Sequence, residues 1–216
     1  MSAIFPNGTQ FSVSRALLAA ALITSITNDK PGVATTTAPP AQDDVVVLTS
    51  AWPGLNERVT KAGAVTANSF EMLGIDTTST RRFPTGQGAG SFLVVDDWVL
   101  LSQITTSEKA GGEQQFFQWQ YIDDTHNRQR QRPTFKNAKS LTLTLDYDPA
   151  LEWYDEMISM DAEQSPVVLR AVLPNGAELY YYVYPSFDGD PSMTINTNMQ
   201  NTATFSMISD FTRVEA

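Results

Sequence analysis

Polar and apolar residues alternate most regularly between residues 113 and 146. In 115–122, Gln115, Phe117, Trp119 and Tyr121 share one side, and Phe116, Gln118, Gln120 and Ile122 the other. In 140–146 the division is cleaner, with Leu141, Leu143 and Leu145 opposite Ser140, Thr142 and Thr144. A period of two marks a strand with one buried and one wet face. The intervening residues 123–139 are too many for a tight turn and predict a long loop. The expectation is that 115–122 and 140–146 pair in a sheet whose polar side contacts water, while the loop reaches another subunit.

The same pattern reads along the rest of the chain. Residues 10–14 alternate after a Pro6-Asn7-Gly8 turn and predict a first strand. From 23 to 92, short β-rich runs at 23–27, 33–37, 45–49, 58–65, 69–73 and 92–95 are separated by Gly, Pro, Asn and Asp clusters. Such spacing predicts a small barrel or sandwich. Beyond it lie a strand over 98–104 and a helix after Asp148-Pro149, with Asp148 as cap and Leu151, Tyr154, Met157 and Ile158 as its apolar stripe. Pro166 ends that helix, and Pro174-Asn175-Gly176-Ala177 joins strands 167–173 and 178–184 as a hairpin. Tyr180, Tyr181, Tyr182 and Tyr184 require cover on both faces of their strand, which suggests a core on one side and a neighbour on the other. A last strand over 193–207 sets Met193, Ile195, Met199, Ala203, Phe205 and Met207 against Asn196, Asn198, Thr202, Thr204 and Ser206. The predicted fold class is mainly β, a β-sandwich or barrel with one flanking α-helix, plus a small all-β module in the N-terminal half. The predicted division is 1–22 as an arm and first strand, 23–92 as the small module on the outer surface, and 93–216 as the main domain.

Composition narrows this. At 216 residues and 42% hydrophobic, the chain has material for a substantial core. It contains no cysteine, which removes disulfides, thiolate metal sites and cysteine nucleophiles. The run 16–23 after Arg15 supplies eight apolar residues against the roughly 20 a membrane-spanning helix needs, and lacks a signal peptide's basic start. Net charge is −10, yet Arg128, Arg130, Arg132, Lys136 and Lys139 fall in twelve residues without an acid. Outside them, nine bases face 24 acids, a balance of −15. An acidic body repels nucleic acid. The basic segment on it predicts an inter-subunit contact through those five residues, ahead of phosphate binding or a plain solvated loop.

Candidate chemistry is sparse. His126 is the only histidine and sits among arginines, which disfavour its protonation and metal binding. The Gly-rich 85–91 stretch precedes a strand where phosphate cradling needs a helix N-terminus. The pairs Asp146/Asp148 and Asp188/Asp190 do not continue into a calcium loop. The reading is therefore a chain with no catalytic residue, metal or cofactor. Gln118, Gln120, Thr142 and Thr144 are the candidate polar face toward an aqueous lumen.

Several ordered stretches resemble lambda-like, siphophage major tail tube proteins. They are 26–36, Trp52-Pro53-Gly54-Leu55-Asn56-Glu57-Arg58-Val59, 65–77, Arg82-Phe83-Pro84 with 86–91, Gly111-Gly112-Glu113 and 140–148. Their order along nearly the whole chain carries the resemblance more than any one of them. The resemblance implies a structural virion protein: homohexameric rings stacked into a non-contractile tail tube, built around a tape-measure protein. It implies distal tail and tail terminator proteins at the ends, and phage DNA passing an acidic lumen without specific binding. Assembly in the host cytoplasm would precede incorporation in the virion. The basic segment at 127–132 departs from the family's pattern. Rival readings are the inner tube of a contractile tail or phage-derived injection system, and a carbohydrate-binding virion module using Trp52, Trp119 and the tyrosines as platforms.

Overall fold

A computed structural model describes residues 5–126 and 128–216. Sixteen strands and one helix occur among them. In chain order the strands are β1 (Gln10–Leu17), β2 (Ala21–Ile23), β3 (Ser25–Ile26), β4 (Gly32–Thr35), β5 (Val45–Ser50), β6 (Arg58–Thr66), β7 (Ser69–Leu73), β8 (Gly90–Leu101), β9 (Ile104–Gly111), β10 (Gln114–Trp119), β11 (Arg130–Lys136) and β12 (Lys139–Asp146). The helix α1 (Glu152–Glu163) follows, then β13 (Val167–Val172), β14 (Glu178–Ser192), β15 (Gln200–Met207) and β16 (Thr212–Val214).

All strands but two join one curled sheet, in the order β3-β4-β7-β6-β5-β8-β1-β13-β14-β15-β12-β9, with β2 on β8 and β16 on β14. The pivot is β8. Its first half pairs with β2 and β5, its second half with β1. Gly90 opens it because a side chain there would overlap the Thr49 carbonyl.

Three apolar clusters result. One is filled by Leu141, Leu143, Leu145, Phe205, Phe187 and the inward face of α1. A second draws only on residues 21–94, around Trp52, Phe70, Phe83 and Phe92. The third lies between them, where Val45, Val47 and Val59 meet Val168, Tyr180 and Tyr182. Tyr181 belongs to the first cluster and its neighbours to the third. Both faces of this part of β14 are thus covered within one chain, by β5 and β6 rather than by a neighbouring molecule.

The helix packs through Trp153, Met157 and Met160, which recur at four and three residues; Ile158 is 42% exposed. Its N-cap is Leu151 in extended backbone, not Asp148. The Asp148 carboxylate instead accepts the Ala150 N–H in the preceding turn. Gln164, in the left-handed region at φ 51°, closes the C-terminal end by donating to the Met160 carbonyl.

Three expected elements are redrawn. Residues 123–139 are not one long loop, because β11 runs through them and pairs with β10. Its only apolar residues, Pro133 and Phe135, are exposed, so burial imposes no period there and the backbone ladder makes the strand. Nor does 115–122 pair with 140–146, since β12 lies between β9 and β15. The strand expected over 193–207 begins only at Gln200, as β15, and Met193, Ile195 and Met199 lie on an exposed connection after β14.

Candidate subunit-contact and lumen surfaces

Four strands, β9, β12, β15 and the second half of β14, form a sheet segment with one polar face. Register places Glu108, Thr142, Thr204 and Ser186 in one cross-strand row. Thr106, Thr144, Thr202 and Asp188 form the next, and Ala110, Ser140, Ser206 and Tyr184 another. The hydroxyls of Thr142 and Thr204 lie 3.5 Å apart. Between these rows, Leu141, Leu143, Ala203, Phe205 and Phe187 point into the core. The face carries Glu108, Asp146 and Asp188 and no lysine or arginine. Lys109, on β9, points to the other side, with Nζ 5.4 Å from the Phe211 ring centroid.

The outer edge of this segment is bare. β9 pairs only with β12, and nearly all of it is exposed. At the opposite side, β14 has no strand partner beyond Val183, which pairs with Val167 at the start of β13. The helix covers that edge instead. Pro185 has no N–H to offer, Asp161 accepts the Phe187 N–H at 3.0 Å, and the Tyr154 hydroxyl donates to the Gly189 carbonyl.

The hairpin of β10 and β11 leaves the sheet through Gly111 and Gly112, at φ 78° and 87°. A side chain at Gly111 would overlap the Ala138 carbonyl, so the crossover requires glycine. No other strand or helix packs closely on the hairpin, and only its root, from Lys136, faces Glu57, Arg58 and Asp210 across a cavity. Its apolar side chains are largely exposed, Phe117 at 54% and Phe135 at 66%. Two of its arginines lie over rings of the same hairpin, Arg130 over Tyr121 and Arg132 over Phe117, at 4.9 and 6.0 Å.

The expected site residues are divided by this arrangement. Thr142 and Thr144 lie on the polar sheet face, half-buried among neighbouring hydroxyls. Gln118 and Gln120 lie in or beside the separate hairpin, and Gln118 accepts from Gln129 there. The residues in the same rows that the sequence does not single out as lumen-facing are Thr106 and Glu108, which pair with Thr144 and Thr142, and Ser186 and Asp188, which pair with Thr204 and Thr202. For Ser186 and Asp188 the signal is the alternation along 184–188, where every second residue is exposed, whereas β9 is exposed nearly throughout and carries none. Arg128, Arg130, Arg132 and Lys136 are on the hairpin and exposed. Lys139 is at its root, bound to Asp210 at 3.2 Å. Asn127, in the same run, lies outside the described residues.

The rejected chemistry has plain placements. His126 is exposed in the hairpin turn, its backbone N–H held by Asp124. In the glycine-rich stretch, Gly88 packs against the Trp52 ring and leads into β8. Trp52 and Tyr180–Tyr182 are buried, so they offer no stacking platform.

The family model of phage tail tube proteins matches residues 50–216. The chain belongs to the phage tail tube protein family. It is a tail tube structural protein and a virion component. Among solved structures it is similar to a chain of the virion of a native gene transfer agent particle, at TM-score 0.41 and 5% identity over 54% of this chain and 88% of that one. It is also similar to a chain in the baseplate of the anti-feeding prophage, at TM-score 0.39 and 9% identity over 83% and 97%. No curated protein sequence matches it.

Proposed function

We propose that this tail tube protein is the repeating subunit of a non-contractile, siphophage-type tail, assembled in the host cytoplasm as hexameric rings stacked into a tube. The observation that carries the reading is the four-stranded segment with one hydroxyl- and carboxylate-lined face and one bare edge, β9. Bare strand edges are aggregation templates unless something covers them. A neighbouring copy laid along β9 continues the sheet around a bore, and the polar face then looks onto water and DNA. Three carboxylates per copy and no cation of the same chain give that face a single sign. Phosphates are repelled along its length, so DNA slides without a sequence-independent hold.

In this reading the protein performs no catalysis and holds no cofactor. Its partners are further copies of itself, a tape-measure protein during assembly, distal tail and tail terminator proteins at the two ends, and DNA in transit. The 23–92 unit sits outside the wall, where it leaves the bore clear. The test is negative-stain imaging of the purified chain at rising concentration. Rings or tubes with an open bore are expected, whereas a monomer at every concentration and salt level overturns the reading.

A further inference from the structure

The two ends of the four-stranded segment differ in charge. At one end β9 finishes, β12 begins and the β10–β11 hairpin departs, with Arg128, Arg130, Arg132 and Lys136 on or beside β11. At the other end β12 finishes beside the β14–β15 connection, with Asp146, Asp148, Asp188 and Asp190. Asn198 donates to Asp146 and Gln103 to Asp148, so these groups gather around one rim. Among the described residues, none of these four cations or four carboxylates has an oppositely charged partner within its own chain. From residue 140 to 212 the sequence holds a single base, Arg170, which lies over the Trp98 ring.

These two sets cannot neutralise one another in a single copy. At ~3.3 Å per residue, the eight residues of β12 hold its ends roughly 25 Å apart, more than twice the ~10 Å screening length of ordinary buffers. The hairpin's own acids do not serve the bases either. Glu113 lies at the hairpin's root, where it accepts from Asn137, and Asp123 and Asp124 lie in its turn. Both ends also expose apolar side chains. Phe117 and Phe135 are on the hairpin, and Met193 and Ile195, 75% and 88% exposed, are at the acidic end.

We propose that the hairpin of one copy docks head to tail on the acidic end of the sheet in a second copy, its β11 bases against the four aspartates and its aromatic rings against Met193 and Ile195. The inference rests on the stacked-tube reading and names the surface that receives the hairpin. Donor and acceptor lie at opposite ends of one subunit, so the contact is heterologous and repeats without closing, which is the geometry of a filament. Charge sets its direction and salt dependence, and the apolar contact supplies burial.

The absence of cysteine allows a direct test. Tubes of the variant carrying both Arg130→Cys and Ile195→Cys are oxidised and run on a denaturing gel. A ladder of linked chains is expected, with each single-cysteine variant giving at most a dimer. In parallel, R128E/R130E/R132E and D188K/D190K are each expected to reduce pelleted tube at least tenfold while keeping the wild-type melting profile. The variant carrying both sets is expected to recover tube. Tubes of the double-cysteine variant that give no ladder, or reversed-charge variants that assemble like wild type, overturn the docking surface and leave the tube reading standing. A wild-type chain that never assembles overturns both.

Discussion

Lys61 Nζ lies 3.2 Å from Glu178 Oε2, joining β6 to the start of β14. Asp43 flanks the lysine at 3.4 Å, and the Tyr180 hydroxyl donates to the same Glu178 oxygen. Both side chains of the pair are about one-fifth exposed. This ionic contact adjoins the third apolar cluster, where residues of β5 and β6 rest on β14. Loss of one partner leaves the other charge poorly solvated. Between the ~0–1 kcal/mol of an exposed pair and the 3–5 kcal/mol cost of breaking a buried one, Lys61→Met and Glu178→Gln are each expected to cost about 1–3 kcal/mol. Chemical denaturation of both singles and the double gives the coupling energy. A coupling indistinguishable from zero contradicts the link.

Three adjacent tyrosines set an alkaline limit. Burial pushes the Tyr180, Tyr181 and Tyr182 phenols up, and for Tyr180 the hydrogen bond to Glu178 adds to the effect. In the unfolded chain they ionise near pH ~10. A raised folded value means that the folded state holds its protons after the unfolded state has lost them. Their stability contribution is therefore complete below pH ~10 and declines above it. Melting temperature should be level from about pH 7 to 9 and drop beyond pH ~10. For Tyr181 burial is the sole cause, so Tyr181→Phe should make the drop shallower. An identical slope in that variant contradicts the assignment.

Arg15 ties the helix to the sheet. Its guanidinium reaches Asp97 on β8 and both Glu152 and Glu156 on α1. The hydrogen bond to Glu152 leads in holding its pKa up. The site is open to solvent, so its effect should be salt-dependent. Arg15→Gln removes the only cation from three acids. It should lower the melting temperature at low salt, and the deficit should shrink at about 1 M, where the screening length is ~3 Å. A deficit independent of salt would mean that the side chain acts through packing alone.

Much of this architecture is legible in the residues, because burial imposes a period. Leu141, Leu143 and Leu145 alternate with Ser140, Thr142 and Thr144, and β12 follows that rhythm throughout. The 174–177 turn fixes β13 against β14 by local chemistry alone. What escaped is what carries no period. The β11 residues bury no face, since even Pro133 and Phe135 are exposed, and their strand exists because β10 offers a ladder. Met193, Ile195 and Met199 imitate the rhythm of the following strand while lying on a connection. Pairing partners escaped too. A strand's own sequence does not state which strand lies beside it, so the pattern puts Gln118 with Thr142 and is silent on Thr106 and Ser186.

The bare edge of β9 gives a prediction in exchange rather than in mutation. Along an edge strand, alternate backbone amides face outward with no partner. In the dispersed chain, about half of the amides in Ile104–Gly111 should exchange hydrogen rapidly, while those directed at β12 are slower. In assembled tubes the fast set should become protected, since a neighbour's backbone or side chains then bond them. Mass spectrometry of peptides covering β9, before and after assembly, reads this directly. Unchanged exchange in tubes would place the lateral contact elsewhere.

The polar face makes the final prediction, because two substitutions cancel most of its charge. Glu108, Asp146 and Asp188 give three negative charges per copy, and Thr142 and Thr204 stand side by side among them. Substituting both threonines with lysine brings the face to a single net negative charge and places cations where phosphate would pass. Both positions are half-exposed and their neighbours are hydroxyls, so the long side chains can extend away from the core. Tubes assembled from T142K/T204K in the presence of short duplex DNA should retain it at low salt and release it as salt rises, the signature of phosphate contacts. Wild-type tubes should retain none. Ile158→Lys, on the outward side of α1, is the control for added charge as such. If that variant retains as much DNA as the threonine pair, this face does not line the bore.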